Sequence, residues 1–157
     1  MTSFRCMPMD TTAAERFRAT GLDDRGGAVH RRLVDGPGFP CRHCLRLGNP
    51  GETMLLASWD LPAPTGPYWT PSPVFLHAQD CAARIEEDRL PETVTKNDII
   101  SLRHYDQDGM CLYDLGIVLP GDEGEGPLRE RLADPRVAFV NIHTARPGCW
   151  LTRVERA

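Results

Sequence analysis

The stretch Arg136-Val137-Ala138-Phe139-Val140-Asn141-Ile142-His143-Thr144, RVAFVNIHT, decides the fold. Val140 and Ile142 alternate with Asn141 and His143, the period-2 pattern of a strand with one apolar and one polar face. Pro147-Gly148 is a turn dipeptide, and CWLTRVE (149–155) resumes as a second strand. Just upstream, DIISLRHYD (98–106) and CLYDLGIVLP (111–120) read as two more strands, with Asp108-Gly109 in the turn between them. Arg103 and Tyr105 share one face of their strand and His104 takes the other.

Working outward, SFRCMP (3–8) reads as a short strand, and Thr12 and Glu15 stand three apart as a capping box. They open a helix to about Thr20, stopped by Gly21. AVHRRLVD (28–35) is a weak strand before the turn Gly36-Pro37-Gly38. ETMLLASWD (52–60) has a near-continuous apolar centre and is expected to be buried on both faces. LPAPTGPYWTPSP (61–73) holds five prolines, which remove backbone donors and fix φ, so it is a long irregular loop, either a lid or a mobile excursion. PVFLHA (73–78) is a short strand. Asp80 can cap a helix over roughly 81–89, ended by Leu90-Pro91. GDEGEG (121–126) is a solvated turn whose spacing does not match a calcium loop, and PLRERLAD (127–134) is a short helix opened by proline. Four to six strands and two or three short helices in no regular βαβ order predict an α+β single domain over residues 1–157. Its sheet is expected to be mostly antiparallel, with one apolar face covered by helices.

Composition bounds the function. A chain of 157 residues suits one domain with a core of ordinary size. The net charge of −4 is mild, and Lys96 is the only lysine. The arginines are scattered, leaving no nucleic-acid footprint. No apolar run approaches the roughly 18 residues of a membrane span, and MTSFRCMPMDTT lacks the apolar core of a signal peptide. A cytoplasmic location is the default expectation. There, paired members of the six cysteines point to metal or redox chemistry rather than disulfides. No G-x-G-x-x-G, P-loop, G-x-S-x-G or H-E-x-x-H occurs, so nucleotide cofactors and the common hydrolase classes lose support.

The chemical signal is FPCRHCLRLG (39–48). C-x-x-C in one tight loop lets both sulfurs, Cys41 and Cys44, point to one centre. The second half of a site would come from HAQDC, with His77 ending a strand and Cys81 opening a helix. Three thiolates and one imidazole would then hold a metal, zinc by ligand type. A thioredoxin-like role is disfavoured, because Gly48, Pro50 and Gly51 leave no room for a helix after Cys44. Cys81 at a helix N-terminus, one turn from His77, would also suit a nucleophile; the plain alternative is a small apolar residue under the helix. Asn141 and His143 on one face, with Arg103, Tyr105, Arg146 and Arg153, either line a pocket for an anionic ligand or form a solvated sheet face. Cys6, Cys111 and Cys149 have no visible partner.

Pro40-Cys41-Arg42-His43-Cys44-Leu45, Pro50-Gly51-Glu52 and Pro73-Val74-Phe75-Leu76-His77-Ala78 with Cys81 come in a distinctive order. With Leu102-Arg103-His104-Tyr105, Asp134-Pro135-Arg136-Val137-Ala138 and Gly148-Cys149 they make the chain resemble the bacterial family called domain of unknown function 1203. The resemblance spans most of the chain from Phe39 onward. It departs from the family pattern at Ser72, where glycine is expected, and at Asn141, where histidine is expected; if that histidine acts in relatives, the activity here is altered. The resemblance implies no reaction, but it groups the cysteine loop, His77, Cys81, Arg103 and Gly148-Cys149 as one recurring set. Three readings follow. The first is a small metal-binding protein with a structural or regulatory zinc site. The second is a metal-free enzyme or small-molecule binder, with Cys81, His77 or His143 reactive, Arg103, Arg146 and Tyr105 holding an anion, and the Pro-rich loop as cover. The third is an interaction module presenting Tyr68 and Trp69 to a protein partner.

Overall fold

The computed structural model describes residues 1–157. The strands are β1 (Phe4–Met7), β2 (His30–Leu33), β3 (Thr53–Asp60), β4 (Pro71–His77), β5 (Glu86–Glu87), β6 (Ile100–Tyr105), β7 (Ile117–Leu119), β8 (Phe139–Thr144) and β9 (Trp150–Arg156). The helices are α1 (Thr11–Thr20), α2 (Glu92–Thr95) and α3 (Glu125–Leu132). The class is α+β and every strand pair within the sheets is antiparallel. The strands divide into two sheets rather than one: a six-stranded sheet in the order β5-β1-β9-β8-β6-β7 and a three-stranded sheet in the order β2-β3-β4.

The alternation in RVAFVNIHT sets the architecture. In the six-stranded sheet Val140 and Ile142 of β8 align with His104 and Leu102 of β6 and with Val154 and Thr152 of β9. This face meets Phe4, Cys6, Val94, Leu128 and Leu132, forming an aliphatic core beneath α2 and α3. Gly121 is required here, because a Cβ would stand 2.1 Å from the carbonyl oxygen of Val94 and 2.6 Å from that of Asn97. The opposite face carries Arg103, Asn141 and Arg153 in one row across β6, β8 and β9. From the first position of β9 the Trp150 side chain enters a second core with α1, β3 and β4, where its ring lies 5.0 Å from that of Trp59. In β3 the burial alternates more than its apolar run suggests: Ala57 and Trp59 are buried, whereas Leu56 and Ser58 are half-buried.

Helix α1 begins two residues earlier than the capping-box pattern predicts. Asp10, not Thr12, is the N-cap, and its carboxylate accepts a bond from the Ala13 amide at 3.1 Å. Gly21 ends the helix in the left-handed conformation, φ 68°, as the sequence predicts. The larger departure is residues 81–89, which form no helix. Glu86 and Glu87 pair instead with β1 at the sheet edge. Glu86 is buried between Arg84 and Arg89, and the Arg84 amide bonds the His43 carbonyl. These long-range bonds override a favourable local helix propensity.

Candidate functional site

The cysteine loop is a backbone knuckle. The Leu45 amide donates to the Cys41 carbonyl at 3.0 Å and the Cys41 amide to the Arg46 carbonyl at 2.9 Å. Closing so tight a turn places Leu45 at φ 56°, a left-handed conformation that costs a non-glycine residue about 1–2 kcal/mol. The buried Leu45 side chain offsets this by entering the aliphatic core under α2 and α3, while its neighbour Cys44 belongs to the core around α1. Gly48, anticipated as a turn residue, serves a close approach: a Cβ there would meet Met54 Sδ and Val34 Cγ2 at 2.9 Å. The loop is seated on β4 through the Arg42 amide and Phe75 carbonyl and on the segment after β1 through the Met9 amide and Arg42 carbonyl.

His77 ends β4, next to this loop. Four residues later Cys81 returns to it in an irregular segment, not at a helix N-terminus; the dipole argument for a nucleophilic Cys81 therefore falls. The ligand atoms of Cys41, Cys44, His77 and Cys81 all lie within 4.8 Å of one another. Cys41 and Cys81 sulfurs are 3.9 Å apart, and Cys44 Sγ is 3.5 Å from His77 Nδ1. In a tetrahedral site with Zn–S of about 2.3 Å and Zn–N of about 2.0–2.1 Å, the S–S edge is about 3.8 Å and the S–N edge about 3.6 Å. The observed edges fit that figure.

Groups around the four complete the arrangement. His77 Nε2 faces a Glu52 carboxylate oxygen at 3.5 Å, which orients the ring with Nδ1 turned to the sulfurs. His43 Nδ1 lies 3.3 Å from Cys81 Sγ, and its Nε2 lies 2.9 Å from Thr11 Oγ1. Arg18, on α1, donates Nη2 to Cys81 Sγ at 3.2 Å and Nε to the His77 carbonyl at 3.0 Å. Hydrogen bonds from Cys41 and then Cys44, with help from His43 and His77, hold the Cys81 thiol far below its ordinary value. The same sharing with Cys41 and Cys81 drives Cys44 far up. Bonding to Cys41 and Cys81 raises His77 to about 10. Of these groups, Cys81 is the one driven to the thiolate and Cys44 the one that keeps its proton.

Arg18, His43 and Glu52 have no distinguishing spacing in the sequence. His43 lies inside the cysteine loop itself and Glu52 inside Pro50-Gly51-Glu52, whereas Arg18 belongs to no motif.

The other predicted residues fall elsewhere. Arg103, Tyr105, Asn141, His143 and Arg153 line one cavity beneath the Pro-rich loop. Arg146 does not join them; it pairs with Asp98 on the surface, where both side chains are two-thirds exposed. Tyr68 and Trp69 are half-buried rather than exposed. Trp69 packs against the core around α1 and donates to the Leu61 carbonyl, and Tyr68 lies against Tyr105 and Tyr113. All six cysteines are free thiols, and no helix is long and apolar enough to cross a membrane.

The fold and the cluster define an α+β protein with a buried Cys3His group able to hold a metal ion. Residues 38–156 match the family described as "Protein of unknown function (DUF1203)", and the chain belongs to that family. No curated protein and no solved structure matches it.

Proposed function

We propose that the chain is a zinc protein in which Cys41, Cys44, His77 and Cys81 hold one structural Zn²⁺. The observation that carries the reading is the convergence of four ligand atoms within 4.8 Å, with the Cys41–Cys81 and Cys44–His77 edges of tetrahedral length. Soft thiolates with one imidazole are a zinc donor set, and four protein ligands leave no position open for a substrate, so the role is structural rather than catalytic. Zn²⁺ with three thiolates carries one net negative charge, which Arg18 beside Cys81 balances. The ion would tie together the knuckle, the end of β4 and the segment leading to the sheet edge, three pieces joined otherwise by few regular hydrogen bonds.

Elemental analysis of purified protein tests this. One equivalent of zinc is expected, and it should be lost in Cys41→Ser. Protein that is metal-free, remains folded and takes up no added zinc overturns the reading.

A further inference from the structure

The cavity beneath residues 61–70 is independent of the metal cluster and of the reading given to it. Its wall is the polar face of the six-stranded sheet. Its volume is about 30 Å³, roughly two to three times what one water needs and enough for a carboxylate group. Two arginines line it and no acid does. Arg153 is already committed: its Nη atoms donate to the Ala63 and Pro62 carbonyls at 2.7 and 3.1 Å, and its guanidinium lies 4.0 Å from the Phe139 ring centroid. It fastens the Pro-rich loop over the cavity. Arg103 is not committed. Its only hydrogen bond is a long one, Nε to Ser101 Oγ at 3.4 Å, and it has no ion pair, so both Nη atoms are left to donate.

His143 supplies the second observation. It is 3% exposed, its Nδ1 bonds the Gly148 carbonyl at 2.9 Å, and its Nε2 is buried without a partner. A carbonyl only accepts, so Nδ1 carries the proton and Nε2 presents a lone pair to the cavity side. Burial, then Arg103 and Arg42, hold His143 down to about 4, which keeps Nε2 an acceptor at neutral pH. A buried acceptor left unpaired is costly and calls for a donor. Asn141 spends its Oδ1 on Trp150 and Arg153, leaving its amide N–H₂ as a further donor beside Arg103.

We propose that this cavity binds a small hydroxy-carboxylate, with the carboxylate on Arg103 and the Asn141 amide and the hydroxyl donating to His143 Nε2. A planar carboxylate matches the guanidinium fork. An unpaired buried acceptor beside free donors calls for a ligand that is at once an anion and a hydroxyl donor.

Titration of the full chain with glycolate, acetate and inorganic phosphate, followed by calorimetry and by the ¹⁵N resonances of His143, tests the site. Glycolate is expected to bind about tenfold more tightly than acetate, the worth of one hydrogen bond, and to shift the Nε2 resonance. Arg103→Gln, checked for retained fold by circular dichroism, should weaken glycolate at least tenfold. An unmoved His143 resonance at tens of millimolar glycolate overturns the proposal, whatever the variants do. Equal affinity for acetate removes the His143 contact, and tighter binding of phosphate than of glycolate overturns the carboxylate assignment.

Discussion

The cysteine cluster and the Arg103 cavity both gather polar side chains inside the molecule, and they resolve them differently. Around the cysteines nearly every polar atom faces another: sulfur meets sulfur or imidazole, and His43, Arg18 and Glu52 meet the outer atoms. In the cavity the Nη atoms of a guanidinium and an imidazole nitrogen are left without partners. Side chains satisfied by one another serve stability; a wall with open valences serves recognition. The same contrast separates the two hydrophobic cores. The core under α2 and α3 is made almost wholly of aliphatic side chains packed on a regular sheet, whereas the core around α1 is sealed on one side by the cysteine loop.

The sharpest way to break this comparison is zinc removal by a strong chelator. Hydrogen exchange is expected to rise by orders of magnitude in residues 41–47, β3 and β4, while β6 and β8 stay protected; uniform loss of protection in both cores would show that they are one cooperative unit. The converse is Leu102→Ala, which empties a fully buried position in the aliphatic core. It should cost about 2–5 kcal/mol in denaturant unfolding and leave zinc stoichiometry at one.

Acid probes the aliphatic core separately. His104 is fully buried with both ring nitrogens unpaired, and burial, with the charge of Arg131, lowers it to about 4. The unfolded value is about 6.5, so the unfolded chain binds the proton more tightly. Its contribution is therefore fully present above pH 6.5 and is lost as pH falls from 6.5 to about 4. With about 1.4 kcal/mol per pH unit, the loss is about 3 kcal/mol. Stability measured across this window should fall less steeply in His104→Leu than in the native chain; identical slopes would place the acid sensitivity elsewhere. The smallest effect is expected at Glu52→Gln, which keeps the shape but removes the charge facing His77 Nε2. Zinc affinity by competition with a chromophoric chelator should drop about tenfold, with the unfolding of the aliphatic core unchanged.

The clustering of Cys41, Cys44, His77 and Cys81 was legible because such groups leave a local signature: two cysteines three positions apart, then HAQDC at the end of a strand. The partners of those four were not. Arg18, His43 and Glu52 arrive through separate elements, and no spacing ties α1 to Cys81. Strand alternation placed Arg103, Asn141 and His143 on one polar face, and all three line the cavity despite the register shift between Ile142 and His143. Arg146 looked equivalent but lies beyond the end of β8, where the chain turns to the surface. The helix expected over residues 81–89 failed because its sequence favours a helix only in isolation. Glu86 finds two arginines and a strand partner at the sheet edge, and a local pattern carries no word of an edge 80 residues away in sequence. The division into two sheets was hidden for the same reason, because it depends on which strands meet, not on where strands occur.

The placement of β1 also bears on how the chain is made. Phe4 pairs with Arg156 and Met7 with Arg153, and the other neighbour of β1 is β5 at Glu86–Glu87. During synthesis the first strand therefore waits for almost all the remaining residues before its ladder to β9 can close, while every ligand of the proposed metal site has been made by residue 81. Metal capture by the nascent chain can precede completion of the six-stranded sheet, giving α1 and the knuckle an anchored neighbourhood in which the first strand is held until the last one emerges from the ribosome.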